Sequence, residues 1–287
     1  MIFPLLKFRK QKEPCIAKGP SIKQAARFHG DYQGSTFSVK APFSNQAGYA
    51  PDLSPRGTSY DIRQNEPWYR NHRWSEKIYI NRRYQYWGPW GIGAVSSMRF
   101  SAGCINIREP KKGLSLFHPR AFEWAVLDFI QDRFINLPPD EYEATSFTSI
   151  RGPIDWQVYN HLPGPSAYFS LDTGHFTYNN HYFWTTLDDS ELFFIAFSLR
   201  PERSDQKDIP PEEWIDQRNM KQLMFDIFKS FTLELSPEAN ARRLKAIEGL
   251  TDTNLKTTME AHNFYIHPEK VKTHNEYQAQ KKLAQKS

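Results

Sequence analysis

The chain has 287 residues, a formal net charge of +5, and 39% hydrophobic and 24% charged residues. This balance excludes a disordered polymer, and the modest positive charge does not require a polyanionic partner. Aromatic residues make up 15% of the chain. Because aromatic side chains favour strands, they indicate a fold rich in β-sheet.

The cysteines and the apolar segments indicate the compartment. Cys15 and Cys104 are too few for a disulfide framework or a cysteine zinc site, so we expect a reducing, cytoplasmic environment. The short apolar start is broken by Pro4 and followed by basic residues, the reverse of the order in a signal peptide. The alternative interpretation of this apolar start is a weak anchor to a membrane surface. No segment approaches the roughly 20 apolar residues of a membrane span, so we expect no transmembrane segment.

The pattern of strands and helices divides the chain into four parts. Residues 1–30 are interpreted as a basic, flexible leader, and residues 31–140 as a β-rich block that ends in a helix. Residues 141–250 are interpreted as an antiparallel meander followed by two helices, and residues 251–287 as a polar, lysine-rich tail. The two middle blocks resemble each other in outline, since each runs from strands to a helix.

The first block predicts three strands and one helix. Tyr32–Pro42, Lys77–Asn81 and Ala94–Arg108 show the alternation of side chains that is typical of strands. Within the last of them, Gly103 predicts a bulge or a close approach of backbone. Apolar residues at three- and four-residue spacing predict a helix over about 119–136.

The second block predicts an antiparallel meander. Its strands are Glu143–Gln157, broken at Gly152–Pro153, then Ala167–Leu171, His175–Tyr178, His181–Leu187 and Glu191–Leu199. Asn179–Asn180 and Asp188–Asp189 predict tight turns, since both residue types tolerate positive φ. The last strand is nearly all apolar, which predicts a central position with both faces buried.

Two helices follow the meander and complete the predicted fold. An apolar stripe over 214–231 predicts a helix of about five turns that begins after Pro210–Pro211. Ser236 as N-cap, Pro237 in the first turn and Gly249 at the end predict another. We therefore expect an α+β fold, in which amphipathic helices pack on one face of one or more antiparallel sheets.

Evidence for catalysis in the sequence is weak. None of the nine histidines shows metal-ligand spacing on a helix, and we expect no metal, no cofactor and no catalytic residue. The alternative is a hydrolase-like enzyme of unrecognised family. One site for it pairs His175 and His181 beside Asp172, and another pairs Cys104 with His118. Polar residues at a hairpin edge and a cysteine in a strand core are the commoner explanations.

The most distinctive segment is Glu66–Gly93, which holds four of the eight tryptophans and five basic residues. Tyr, Trp and Arg combine a large apolar area with a polar group, as in interface hot spots and base-stacking surfaces. The flanks of its central strand, Trp68–Trp74 and Arg82–Trp90, are expected where the backbone turns. The predicted binding residues are Trp68, Tyr69, Arg70, Arg73, Trp74, Arg82, Arg83, Trp87 and Trp90.

This segment has three interpretations. In the structural one, its tyrosines fill one face of a sheet and its arginines solvate the other. We prefer a non-enzymatic protein-binding protein, for example a bacterial immunity-type factor that binds a toxin or effector. The alternative partner is single-stranded nucleic acid, for which the net charge of the segment, from five basic and two acidic residues, is low.

Overall fold

The computed structural model describes residues 14–46, 73–89, 93–135, 149–172, 179–201 and 215–265. Its strands are β1 (Cys15–Ile16), β2 (Ala26–Tyr32), β3 (Ser35–Ala41), β4 (Trp74–Trp87), β5 (Ala94–Ile107), β6 (Ser149–Val158), β7 (Ser166–Asp172), β8 (Asn179–Asp188), β9 (Glu191–Pro201), β10 (Ile215–Asp216), β11 (Thr232–Glu234) and β12 (His262–Tyr265). Its α-helices are α1 (Pro119–Ile130), α2 (Arg218–Ser230) and α3 (Pro237–Ile247). A π-helical turn, Gln131–Ile135, extends α1.

Seven strands form the main sheet, in the order β12-β6-β7-β8-β9-β5-β4, and all neighbours are antiparallel. Strand β9 lies inside this sheet, and its alternate residues join two different apolar clusters. Phe193 and Ile195 belong to the first cluster, whereas Leu192 and Phe194 belong to the second. Both faces of β9 are therefore buried, as its continuous apolar run predicts.

Each face of the main sheet packs against a different helix. On the first face, that of Phe193, α2 packs beside the three-stranded sheet β11-β3-β2, and its Phe228 ring stacks 5.5 Å from Phe183. On the second face, α1 packs Phe129 edge-on against Trp184 at 4.8 Å. The α+β combination agrees with the sequence, but the expected placement of the helices on one face is not confirmed.

Strands β1, β2 and β12 lie in segments that the sequence predicts to be a leader and a tail. Cys15 is buried and pairs in parallel with Ile215. Strand β2 pairs with β3, and a side chain at Gly30 would collide with the ring of Phe37. Strand β12 extends the main sheet beside β6. The pairings of β1 with β10 and of β12 with β6 connect residues far apart in sequence, so local alternation does not predict them. Strand β2 instead pairs with its neighbour β3 across the Gln33–Gly34 turn.

Two predicted boundaries are wrong. Helix α2 begins at Arg218 because Ile215–Asp216 is engaged in β10. Asn179–Asn180 is not a turn: it is the start of β8, paired with β7 and β9 on its two sides. The predicted strand His175–Tyr178 lies outside the described residues.

At the start of the meander, the predicted break at Gly152–Pro153 corresponds to an irregularity: β6 continues as a strand, but its pairing with β7 shifts register between Arg151 and Ile154. At the other end, β8 stops at Asp188 and β9 starts at Glu191. The tight turn between them is therefore one residue beyond its predicted place.

Gly103 is a point of close approach, as predicted. A Cβ atom there would lie 2.0 Å from the Lys77 carbonyl oxygen. Opposite Gly103, the register of β4 shifts between Ile78 and Ile80, so Tyr79 is a bulge. As a result Ile78 packs with the second cluster and Ile80 with the first. Strict alternation over Lys77–Asn81 would place both isoleucines on one face, and the bulge places them on opposite faces.

Candidate functional site: an arginine-lined cleft

Within its described residues, 73–89 and 93, the predicted binding segment is mostly one long strand, β4, which continues to Trp87. Arg82 is 1% exposed, and its guanidinium lies 4.3 Å and 4.6 Å from the ring centres of Phe28 and Phe43. One of its nitrogens, Nη1, donates to the Ala41 carbonyl oxygen at 2.9 Å. These cation–π and hydrogen-bond contacts make Arg82 a core residue and remove it from the binding surface.

Trp74 and Arg73 hold α1 against the edge of the main sheet. Trp74 is buried, and its Nε1 donates to Asp128 Oδ2 at 2.9 Å while its ring meets Phe129 edge-on at 5.9 Å. Arg73 is 53% exposed and pairs with the other oxygen of Asp128 at 2.7 Å. Trp74 is thus structural, contrary to its predicted place on a binding surface.

The remaining predicted residues have different positions. Trp87 is 39% exposed at the end of β4, beside the exposed ring of Phe43 in a shallow surface concavity. Trp68, Tyr69, Arg70 and Trp90 lie outside the described residues. Arg83 is the predicted residue that lines a cleft on the second face of the main sheet.

This cleft has a volume of about 390 Å³ and opens on the second face of the main sheet. Strands β4, β5, β8 and β9 form its floor, and Phe129 of α1 and Arg133 of the following turn lie at its side. We call it the arginine-lined cleft. Its polar lining residues are Glu76, Arg83, Ser97, Arg99, Ser101, Arg133, Asn180, Ser198 and Arg200. Four arginines and one glutamate give this described lining a formal net charge of +3.

The strand registers arrange the lining in parallel rows that cross the sheet. Ile78, Gly103, Phe194 and Trp184 form an apolar row; Asn81, Ser101, Ala196 and Tyr182 form a mixed row; Arg83, Arg99, Ser198 and Asn180 form a cationic row. Side chains of a strand return to the same face every two residues, so neighbouring rows are roughly 7 Å apart. The face therefore changes from apolar to cationic over about two rows.

Like charges lie directly opposite each other in the cationic row. Arg83 of β4 is the register partner of Arg99 of β5. Arg99 Nε donates to Asn81 Oδ1 at 3.2 Å, which orients its guanidinium. Arg200 is the register partner of Ser97, two residues from Arg99 on the same face. Like charges at opposite positions destabilise a pair of strands, and an anion bound between them would relieve this repulsion.

Glu76 and Arg133 lie at the other end of the cleft. Arg133 Nη2 is 3.8 Å from Glu76 Oε2. Burial raises the pKa of Glu76, while the positive charges of Arg133 and Arg99 oppose that rise. Burial also raises the pKa of Tyr182, so its hydroxyl stays protonated at neutral pH. Among the described lining residues, Glu76 supplies the one carboxyl group.

The alternative cysteine site has a poor nucleophile. Cys104 is buried in the first cluster, and burial raises the pKa of its thiol to about 12. His118 instead caps α1, where its Nδ1 accepts a hydrogen bond from the Arg120 backbone N–H at 3.1 Å. A thiol that stays protonated does not attack substrates efficiently.

The alternative histidine site is partly described. His181 is buried, its Nδ1 lies 2.8 Å from Tyr168 Oη, and burial lowers its pKa to about 4. Its register partner is Ser170, and Asp172 follows two residues later on β7. His175 lies outside the described residues. Within the described ranges, no group of three or more His, Cys, Asp or Glu side chains is arranged to hold a metal ion.

Sequence reasoning missed Arg99, Arg133 and Arg200. The sequence pattern that could have indicated Arg99 is the recurrence of polar residues at every second position, Ser97, Arg99 and Ser101, in a mainly apolar strand. That pattern marks a strand face without a complete apolar cover. Their approach to Arg83 depends on the strand order, which local patterns do not provide.

No protein-family model and no curated protein matches this sequence. In the part of the chain that the structure describes, the helices are too short or too polar to cross a bilayer. The geometry of the cleft is thus the basis for assigning a function.

Proposed function

We propose that this chain is a non-enzymatic binding protein and that its arginine-lined cleft recognises an acidic group of a partner protein. The observation that carries the proposal is the direct pairing of Arg83 with Arg99. An anion between two guanidinium groups replaces their repulsion with charge-assisted hydrogen bonds, and the planar guanidinium matches a carboxylate in geometry.

The composition of the cleft supports a protein partner. Arginine and aromatic residues are enriched at the centres of protein interfaces, and Tyr182 and Ile78 lie partly exposed beside the arginines. Single-stranded nucleic acid requires a groove that follows several phosphates, whereas this cleft suits one compact group. The specific form of the proposal is an immunity-type factor, which acts by binding a toxin or effector and needs no reaction of its own.

The test measures the binding of a fluorescent oligoglutamate peptide by anisotropy, with an oligothymidylate of equal charge as the nucleic-acid probe. We expect the double variant R83S/R99S to bind the peptide at least about tenfold more weakly, a loss of about 1.4 kcal/mol. The matched control is K111S/K112S, which removes two charges at exposed positions outside the cleft. Equal binding by all three proteins would contradict the proposal, as would arginine-dependent binding that favours the oligonucleotide.

A further inference from the structure

We infer that the arginine-lined cleft takes a carboxylate attached directly to a short apolar group. The C-terminal residue of a polypeptide and a small free carboxylic acid both have this chemistry. The inference rests on the proposed function and specifies the acidic group that the cleft accepts.

The cationic row provides the carboxylate site. Arg83 and Arg99 extend from directly opposite positions of adjacent strands, where the distance between Cβ atoms is roughly 5 Å. The hydrogen bond from Arg99 to Asn81 holds one of the two guanidinium groups in place. Two planar donors on either side of one small anion satisfy the geometry of a carboxylate.

The mixed row provides the apolar site. Ala196 and the ring of Tyr182 are register partners, and both are partly exposed within the cleft. Their row lies roughly 7 Å from the cationic row, two residues along the strands, a distance that a carboxylate and a short branched side chain such as that of leucine span together. An apolar group directly joined to the carboxylate therefore covers Ala196 and Tyr182, while a longer spacer carries it past them.

The size of the cleft restricts the ligand further. The volume of about 390 Å³ is near the lower end of the roughly 300–1,000 Å³ that is typical of small-ligand sites. One end group fills such a volume, whereas a partner helix does not enter it.

The experiment compares four probes by calorimetry on the full chain: the peptide acetyl-Ser-Gly-Leu with a free carboxylate, its C-terminal amide, 4-methylpentanoate and phenyl phosphate. We expect the free acid to bind at least about tenfold more tightly than its amide, and R83S/R99S to abolish that preference while K111S/K112S retains it. Binding of 4-methylpentanoate as tight as that of the peptide also supports the inference and identifies a free acid as sufficient.

Two outcomes would overturn the inference. One is equal affinity for the acid and the amide, and the other is tighter binding of phenyl phosphate. If oligoglutamate binding still depends on Arg83 and Arg99 in that case, the proposed function stands and the terminal-carboxylate inference alone fails. Loss of the arginine dependence for every probe overturns both. A further variant, Ala196→Asp, keeps the arginines and is expected to reduce the preference for Leu over Gly at the peptide terminus.

Discussion

The two faces of the main sheet are built from the same strands but serve different purposes. In β5, the first-face residues Met98, Phe100, Ala102 and Cys104 are all fully buried. On the second face of the same strand, Ser97, Arg99 and Ser101 are polar, whereas Ile105 is apolar. The first face is a continuous aromatic core under α2, whereas the second is a core beneath α1 that gives way to a charged cleft. A change of polarity along one strand face thus marks the transition from core to the arginine-lined cleft.

The largest expected loss of stability comes from disrupting the core on the first face of the main sheet. Phe228 of α2 is fully buried and lies 5.5 Å, 5.3 Å and 5.7 Å from the rings of Phe183, Phe197 and Tyr168. We expect Phe228→Ala to lower the free energy of unfolding by about 3–5 kcal/mol, measured by urea denaturation. The partly buried Phe225 on the same helix is the matched control, and its alanine variant should lose less. Equal losses would contradict the described packing.

A pH-dependent effect comes next. Glu191 is fully buried, accepts a hydrogen bond from the Tyr32 hydroxyl, and burial raises its pKa from 4.5 to about 7 against the opposing charge of Arg242. Between pH 4.5 and about 7, Glu191 is protonated in the folded chain but ionised in the unfolded chain. The stabilisation that protonated Glu191 gives below pH 4.5 is therefore lost as the pH rises to about 7. The expected loss is about 3 kcal/mol. The lowered pKa of His181 contributes with the opposite sign over a similar pH range, but it does so equally in the wild type and in Glu191→Gln. The difference between the denaturation midpoints of the two proteins across pH 4–8 therefore isolates the contribution of Glu191.

A smaller effect tests how α1 is held on the second face. Trp74→Phe keeps an aromatic ring and removes the Nε1 donor to Asp128, so we expect a loss of about 2 kcal/mol. Arg73→Ala removes the exposed ion pair to the same carboxylate and should cost under about 1 kcal/mol. Thermal denaturation of both variants checks the order. A larger loss for Arg73→Ala would show that the exposed pair, and not the indole, secures α1.

The smallest expected change in stability tests whether Arg83 lines an open cleft or belongs to a packed core. Arg83→Ser removes one member of the like-charged pair with Arg99, so we expect stability to be unchanged or to rise by about 0.2–1 kcal/mol. The gain should shrink as salt is added, because salt screens repulsion between exposed charges. Urea denaturation at low and high ionic strength measures it. A clear loss of stability would mean that Arg83 makes structural contacts and would weaken its assignment to a binding site.

Local patterns predict those features whose causes are local. The alternation of residues locates the strand at Lys77–Asn81, and Ser236 caps α3 by accepting from the Ala239 backbone N–H at 3.1 Å. The continuous apolar run identifies β9 as central. Each of these depends on neighbours within a few residues or on burial alone.

The candidate site depends on long-range geometry that these patterns do not contain. Arg82 and Arg83 are adjacent and chemically identical, yet one lies between Phe28 and Phe43 and the other lines the cleft. The bulge at Tyr79 changes which side chains of β4 face each way, and a bulge follows from the pairing with β5. The strand order then brings Arg99 and Arg200 to the same face. Composition drew attention to arginine, but the fold determines which arginines lie close together.

The most direct test of a binding site on the second face follows arginine side chains by NMR. Acetyl-Ser-Gly-Leu with a free carboxylate is titrated into the chain, and the Nε–Hε signals are assigned through single arginine variants. We predict that the signals of Arg83 and Arg99 shift together and saturate, while that of the exposed Arg218, far along the sequence on α2, stays in place. Saturable shifts confined to Arg218, or no saturable shift at Arg83 and Arg99, would contradict the account.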